Sequence, residues 1–230
     1  MRRSWCDPKA GLVVFALVAT GGAAGQQTPA PAPAAPGCAE SLAALAKAYR
    51  GLGTLTAHFR HTLEAKTLNQ TEVEEGMLYL APGGKMRWQY LQPKGKLAVS
   101  DGKETWLYLA SERQVVVQPL ARGAGAPVAL RLLAGEVDVA REFACQGAER
   151  SGGKTTLKLS LVPPAPGVEG LEVRLDPESG LVDRVSYRDS LGNAITLELS
   201  EIRTGAVLDP GMFLFQPPRG VQVIRPAGGS

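Results

Sequence analysis

The chain has 230 residues and a mass of 24.2 kDa, of which 44% are hydrophobic and 20% charged. That balance excludes wholesale disorder and allows a substantial buried core. The formal charge is +3, but three cations (Arg2, Arg3, Lys9) and one anion (Asp7) fall in the first nine residues, leaving about +1 for the rest. A nearly neutral body carries no electrostatic footprint for nucleic acid.

The basic start leads into the apolar run Leu12 to Ala19 and then the small residues Gly21 to Gly25. These are the three parts of a Sec-type signal peptide, expected over residues 1–25 with cleavage near Gly25. The run is about half of the ~20 residues a membrane-spanning helix needs. Residues 26–37 (QQTPAPAPAAPG) form a Pro/Ala tether, extended and outside any core. One domain is expected over residues 38–225, with a disordered tail at 226–230. Loss of Cys6 with the leader leaves Cys38 and Cys145. In an oxidising compartment they form either one disulfide, the simpler outcome, or two buried free thiols.

Between Cys38 and Leu52 the residues Leu42, Leu45, Ala46, Tyr49 and Leu52 recur at helical spacing, and Gly51 and Gly53 stop the helix. The period then becomes two. Leu55, Ala57, Phe59 and Leu63 alternate with polar residues as in a half-buried strand. Further strands are expected at Met77–Leu80, Met86–Tyr90, Leu97–Val99, Thr105–Leu109 and Val115–Gln118. Pro127 to Leu133 predicts a short helix ended by Gly135, with a second helical stretch over Glu136 to Arg141. Strands resume at Thr155–Val162, Leu171–Leu175, Leu181–Tyr187 and Ala194–Ile202, and a short one closes the chain at Val221–Ile224. Strands every ten residues with short turns predict an antiparallel meander, which must close into a barrel or fold into a sandwich to hide its edges. The Leu-rich helices need an apolar partner, and the open face of such a sheet supplies one.

No catalytic or metal-binding constellation emerges. His58 and His61, the only histidines, lie three apart on one strand and face opposite ways, as solvated strand residues. Gly152-Gly153-Lys154-Thr155-Thr156 resembles the end of a phosphate loop, but position 148 is Ala and strand alternation follows, so a hairpin turn is expected. Glu74 and Glu75 occupy successive strand positions on opposite faces and make no acid/base dyad. An exported β domain without chemistry is left with binding, through an apolar interior.

Four segments, in order, resemble the LolA family of periplasmic lipoprotein carriers. Leu52 to His61 is similar to its junction of helix and first strand. Glu75 to Pro93 carries a G-x-L…P…R-W-x-Y…P block, and Val99 to Tyr108 a V-S-D-G…W-x-Y signature. Phe213 to Ile224 matches an F-x-F-x-P-P-x-G-V-x-V-I ending. The resemblance implies a mainly β fold, an unclosed antiparallel β-barrel of about eleven strands with an α-helical lid over an apolar cavity. It also implies a monomeric, non-enzymatic, cofactor-free periplasmic chaperone. Acylated lipoproteins would be received from an inner-membrane ABC exporter and handed to an outer-membrane acceptor. The family's lid-latching arginine precedes the Pro ahead of the R-W block. Here that position is Ala81, and Lys85 or Arg87 is the candidate substitute.

On this reading Leu55, Ala57, Phe59, Met86, Trp88 and Tyr90 wall the cavity. Leu42, Leu45 and Tyr49, with Val128, Leu130, Leu132 and Leu133, form the lid. Two other readings suit an exported β domain: a carrier of another amphiphile, such as a fatty acid or glycolipid, or a sensor or scaffold module that binds a partner protein and has a dry, filled core.

Overall fold

A computed structural model describes residues 37–120, 128–135, 137–165 and 167–226. The expected signal peptide, all of the tether but Gly37 and all of the tail but Pro226 lie outside the described residues. So do Pro127 and Glu136, the first residues of the two expected internal helical stretches.

Helix α1 (Cys38–Tyr49) buries Cys38, Ser41, Leu45 and Tyr49, a three-and-four spacing that keeps one face against the sheet. Six strands follow: β1 (Leu55–Ala65), β2 (Gln70–Ala81), β3 (Lys85–Gln92), β4 (Lys96–Asp101), β5 (Glu104–Leu109) and β6 (Gln114–Pro119). Two short helices, α2 (Val128–Leu133) and α3 (Val139–Glu142), separate them from a second run. That run is β7 (Phe143–Ser151), β8 (Lys154–Leu161), β9 (Glu169–Leu175), β10 (Val182–Arg188) and β11 (Ala194–Thr204). A 3-10 helix (Pro210–Phe213) and β12 (Gln222–Ile224) complete the order.

All twelve strands join one sheet in the order β12-β6-β5-β4-β3-β2-β1-β11-β10-β9-β8-β7. It is the expected unclosed barrel-type sheet with one more strand than anticipated. The additional one is β7, which pairs with β8 across a turn at Gly152 and Gly153, both left-handed. The phosphate-loop lookalike is therefore that hairpin turn. Strand β12 departs from the antiparallel pattern by pairing parallel to β6. Strand β2 begins at Gln70, seven residues before the apolar run that announces it, because its polar half pairs with β1 from Ala65↔Gln70 onward.

Two meanders meet at β1, which pairs with β2 on one side and β11 on the other. The core gathers there, with Leu55, Phe59, Leu78, Leu157, Val173 and Leu175 all without exposed surface. Helix α1 lies on β7 and β8 and is fixed by a Cys38–Cys145 disulfide. The β9–β10 turn presses on α1 so closely that a Cβ on Gly180 would sit 2.3 Å from the Ala44 carbonyl oxygen. With φ at +71°, that position also requires the left-handed backbone glycine tolerates. Among the described residues no helix is long and apolar enough to cross a membrane.

Candidate lipid-binding cavity

Alternation along β1 sends Leu55, Ala57 and Phe59 to one face of the sheet, where all three are buried. The Phe59 ring meets Trp88 and Tyr90 of β3 edge-on, with centroids 4.7 and 5.2 Å apart, the arrangement that aligns ring edges with ring faces. Strand β2 passes between β1 and β3 and clears this ring only because position 76 is glycine. A Cβ there would lie 2.9 Å from Phe59 Cε1 and 2.1 Å from the Gln89 carbonyl oxygen.

Above this aromatic layer is a cavity of about 420 Å³. Met86, Trp88 and Tyr90 line it from β3, Ala98 from β4, and Tyr187, Ile195 and Leu197 from β10 and β11. Ala129 and Leu130 of α2 face it from the helical side. Of the six residues expected as wall, the three from β3 line the cavity, whereas Leu55, Ala57 and Phe59 belong to the packed core.

The expected lid residues separate in the same way. Val128, Leu132 and Leu133 are buried in the core and Leu130 is half-buried on the cavity. Leu45 and Tyr49 of α1 are buried too. The Tyr49 hydroxyl accepts a hydrogen bond from the Val182 N–H at 3.1 Å, and burial pushes its phenol up to about 12. Leu42 lines a second hollow, of about 610 Å³, shared by Ala39, Ala43 and Ala46 of α1 with Val139 and Ala140 of α3.

Arg87 donates to the Met212 carbonyl at 3.1 Å and so ties β3 to the 3-10 helix, while Lys85 is exposed. The guanidinium that binds helix to helix belongs to α2 itself. Arg131, nearly buried, donates through Nη2 to the Glu142 carboxylate of α3. Its Nε is buried without a hydrogen-bond partner among the described residues. Glu142 in turn accepts from the Asp138 N–H at 3.1 Å.

The cavity has one polar margin. His61 stands opposite Glu74 in the β1–β2 register, with His61 Nδ1 3.7 Å from a Glu74 carboxylate oxygen. Lys96, first residue of β4, donates to the other Glu74 oxygen, and its ammonium lies 4.4 Å from the Tyr90 ring centroid. The neighbouring His61, then Lys96, hold the Glu74 carboxyl below the usual range against the opposing cost of burial. Burial first, and the Glu74 charge second, push the Tyr90 phenol up.

His61 shares the Phe59 face and borders the cavity, with its side chain still 35% exposed, so the anticipated solvated strand residue stands at the cavity margin. Glu75 faces the other way and pairs with Arg60, as strand parity requires. Sequence reasoning missed the His61–Glu74–Lys96 grouping because Lys96 reaches it across an intervening strand. The signal that was present is the even spacing of His61 from Phe59. Among the described residues no group of three or more His, Cys, Asp or Glu could hold a metal ion.

A hollow with aliphatic and aromatic walls, a helix over it and charge confined to one margin has the lining of a small-molecule site for a largely apolar group. A carrier from Chromobacterium violaceum, described as "Outer-membrane lipoprotein carrier protein", is 32% identical over 191 residues, covering 83% of this chain and 90% of that protein. A Nitrosomonas europaea protein of the same description is 34% identical over 173 residues, covering 75% and 82%. An uncharacterized conserved protein of Thermus thermophilus shares the fold, with a TM-score of 0.51 at 19% identity, over 81% of this chain and 98% of that one. The family model described as "Outer membrane lipoprotein carrier protein LolA" matches residues 50–216, and by that match and these relatives the chain belongs to the LolA family.

Proposed function

We propose that this protein is a periplasmic, non-enzymatic carrier that shields the acyl chains of lipoproteins between an inner-membrane ABC exporter and an outer-membrane acceptor. Residues 1–25 direct export, 26–37 act as a tether, and 38–225 carry the cargo. The observation that supports the reading most is the 420 Å³ apolar cavity beneath α2 in a family of lipoprotein carriers.

The cavity volume bears on the mechanism. A methylene takes up about as much room as a water, ~30 Å³, so a hollow of about 420 Å³ is on the scale of a single long acyl chain rather than several. A mature lipoprotein bears two or three. Further chains need the space α2 occupies. Lifting Val128, Leu132 and Leu133 out of the core costs roughly 5–9 kcal/mol, at ~1.5–3 kcal/mol per side chain. Sheltering one further chain of ~15 methylenes returns about 12 kcal/mol at ~0.8 kcal/mol each. Cargo therefore displaces the helix, and the helix re-enters when cargo leaves. Competition of this kind keeps the carrier able to release what it binds.

Purified mature protein added to spheroplasts is expected to release newly acylated lipoprotein into the supernatant as a soluble complex. Met86→Glu, which puts a charge in the cavity wall, is expected to abolish that release while the variant remains folded by circular dichroism. Release by Met86→Glu at the wild-type level would overturn the cavity assignment, and no release by wild type would overturn the carrier function.

A further inference from the structure

The polar margin is out of place in a simple grease pocket. Three ionisable side chains from β1, β2 and β4 converge where the rest of the wall is aliphatic and aromatic apart from Thr105. They are half-buried rather than splayed into solvent, with side-chain exposures of 35% for His61 and 21% for both Glu74 and Lys96. Holding charge there costs solvation, and a carrier of bare hydrocarbon gains nothing from it.

Position along the strands gives the cluster a direction. Phe59 lies two residues from His61 on β1, and Trp88 two residues from Tyr90 on β3. Met86 and Trp88 therefore lie toward one end of the wall, and Tyr90, with the Lys96 ammonium over its ring, toward the other. Lys96 carries three N–H donors, of which Glu74 takes one. The others can serve carbonyl oxygens in a partly dry site, where a hydrogen bond from a charged donor is strong.

We propose that His61, Glu74 and Lys96 form a clamp for the ester carbonyls of a diacylglyceryl group and so fix how deeply its chains enter. Lys96 donates to the carbonyls. Glu74 is a positioning residue that holds the Lys96 ammonium in place, with His61 beside it at the same margin. The clamp rests on the reading of the cavity as an acyl-chain site. It adds to that reading the side chains that meet the ester-linked head, and with them a preference over chains of equal length without carbonyls.

Two probes test it on the mature protein, with tryptophan fluorescence reporting through Trp88. One is a dipalmitoyl-glyceryl-cysteinyl peptide, and the other is its dihexadecyl ether analogue, which lacks the ester carbonyls. Wild type is expected to bind the ester at least about tenfold more tightly, the scale of one charged hydrogen bond. Lys96→Met, and the size-preserving pair Glu74→Gln with Lys96→Met, should bring that ratio close to one. The pair leaves no unpartnered carboxylate, so it stays informative if the single variant fails to fold. Equal binding of both probes by wild type, or an unchanged ratio in the variants, overturns the clamp and leaves the carrier reading standing. Binding of neither probe by wild type overturns the carrier reading itself.

Discussion

Phe59 separates packing from binding more sharply than any other residue. It has no exposed surface and touches both aromatic rings of the wall, yet it does not itself line the cavity. Phe59→Ala should cost about 3–5 kcal/mol through lost burial and the hole it leaves, read as a lower urea midpoint. Gly76→Ala should also be destabilising, since its new methyl meets the same ring and a backbone oxygen. A different balance operates at Asp176, whose carboxyl is held down to about 2, first by the Ser179 N–H and then by Lys154. A depressed carboxyl stabilises the fold above its unfolded value near 4 and loses that effect as pH falls through the folded one. The stability gap between wild type and Asp176→Asn should therefore be constant from about pH 5 to 7 and close between about pH 4 and 2. A gap that persisted unchanged at the acid end of that window would contradict the assignment.

Elements with a strong period were legible and those held by distant partners were not. Strands β1, β3, β8 and β11 carry alternating large apolar residues, and α1 carries a helical stripe, so local pattern and final fold agree. Strand β7 reads Phe-Ala-Cys-Gln-Gly-Ala-Glu-Arg-Ser, with one large apolar residue in nine. Its conformation comes from pairing with β8 and from the covalent tie at Cys145. The parallel direction of β12 is likewise invisible locally, since it depends on where the chain returns after Pro217 and Pro218. The cavity wall was half legible. Parity gave the face bearing Met86, Trp88 and Tyr90, but which inward residues bound empty space depends on where α2 comes to rest. That helix has six residues, too few to hold itself together in water, and among the described residues its one ion pair runs to α3. Glu142→Gln should loosen it, because Arg131 is left nearly buried without its counter-charge. Hydrogen exchange is expected to accelerate over residues 128–135 while β1 and β3 keep their protection. Equal acceleration in the strands would show that the helix opens only with the whole sheet.

A twelve-stranded sheet that stays open has two edges to protect, and the chain treats them differently. At one end β12 is only three residues long, too short to template another strand. At the other, nine-residue β7 is the outermost strand, with α1 packed on it and bonded to it through Cys38–Cys145. The disulfide joins residues 107 apart in sequence, and a loop of that length is worth up to ~4–5 kcal/mol of unfolded-state entropy on the chain-entropy account. Native bridges more commonly contribute ~2–5 kcal/mol, which for a domain of this size is roughly 4–20 °C in Tm. Reductant should therefore lower the wild-type Tm by that amount. The double variant Cys38→Ala with Cys145→Ala should start from the lower value and ignore reductant. Because the bridge anchors α1 over β7 rather than over the cavity, the reduced protein at temperatures below its new midpoint should still bind the acyl probe. Loss of probe binding on reduction, with the fold intact by circular dichroism, would mean that the α1 anchor and the cavity move as one unit.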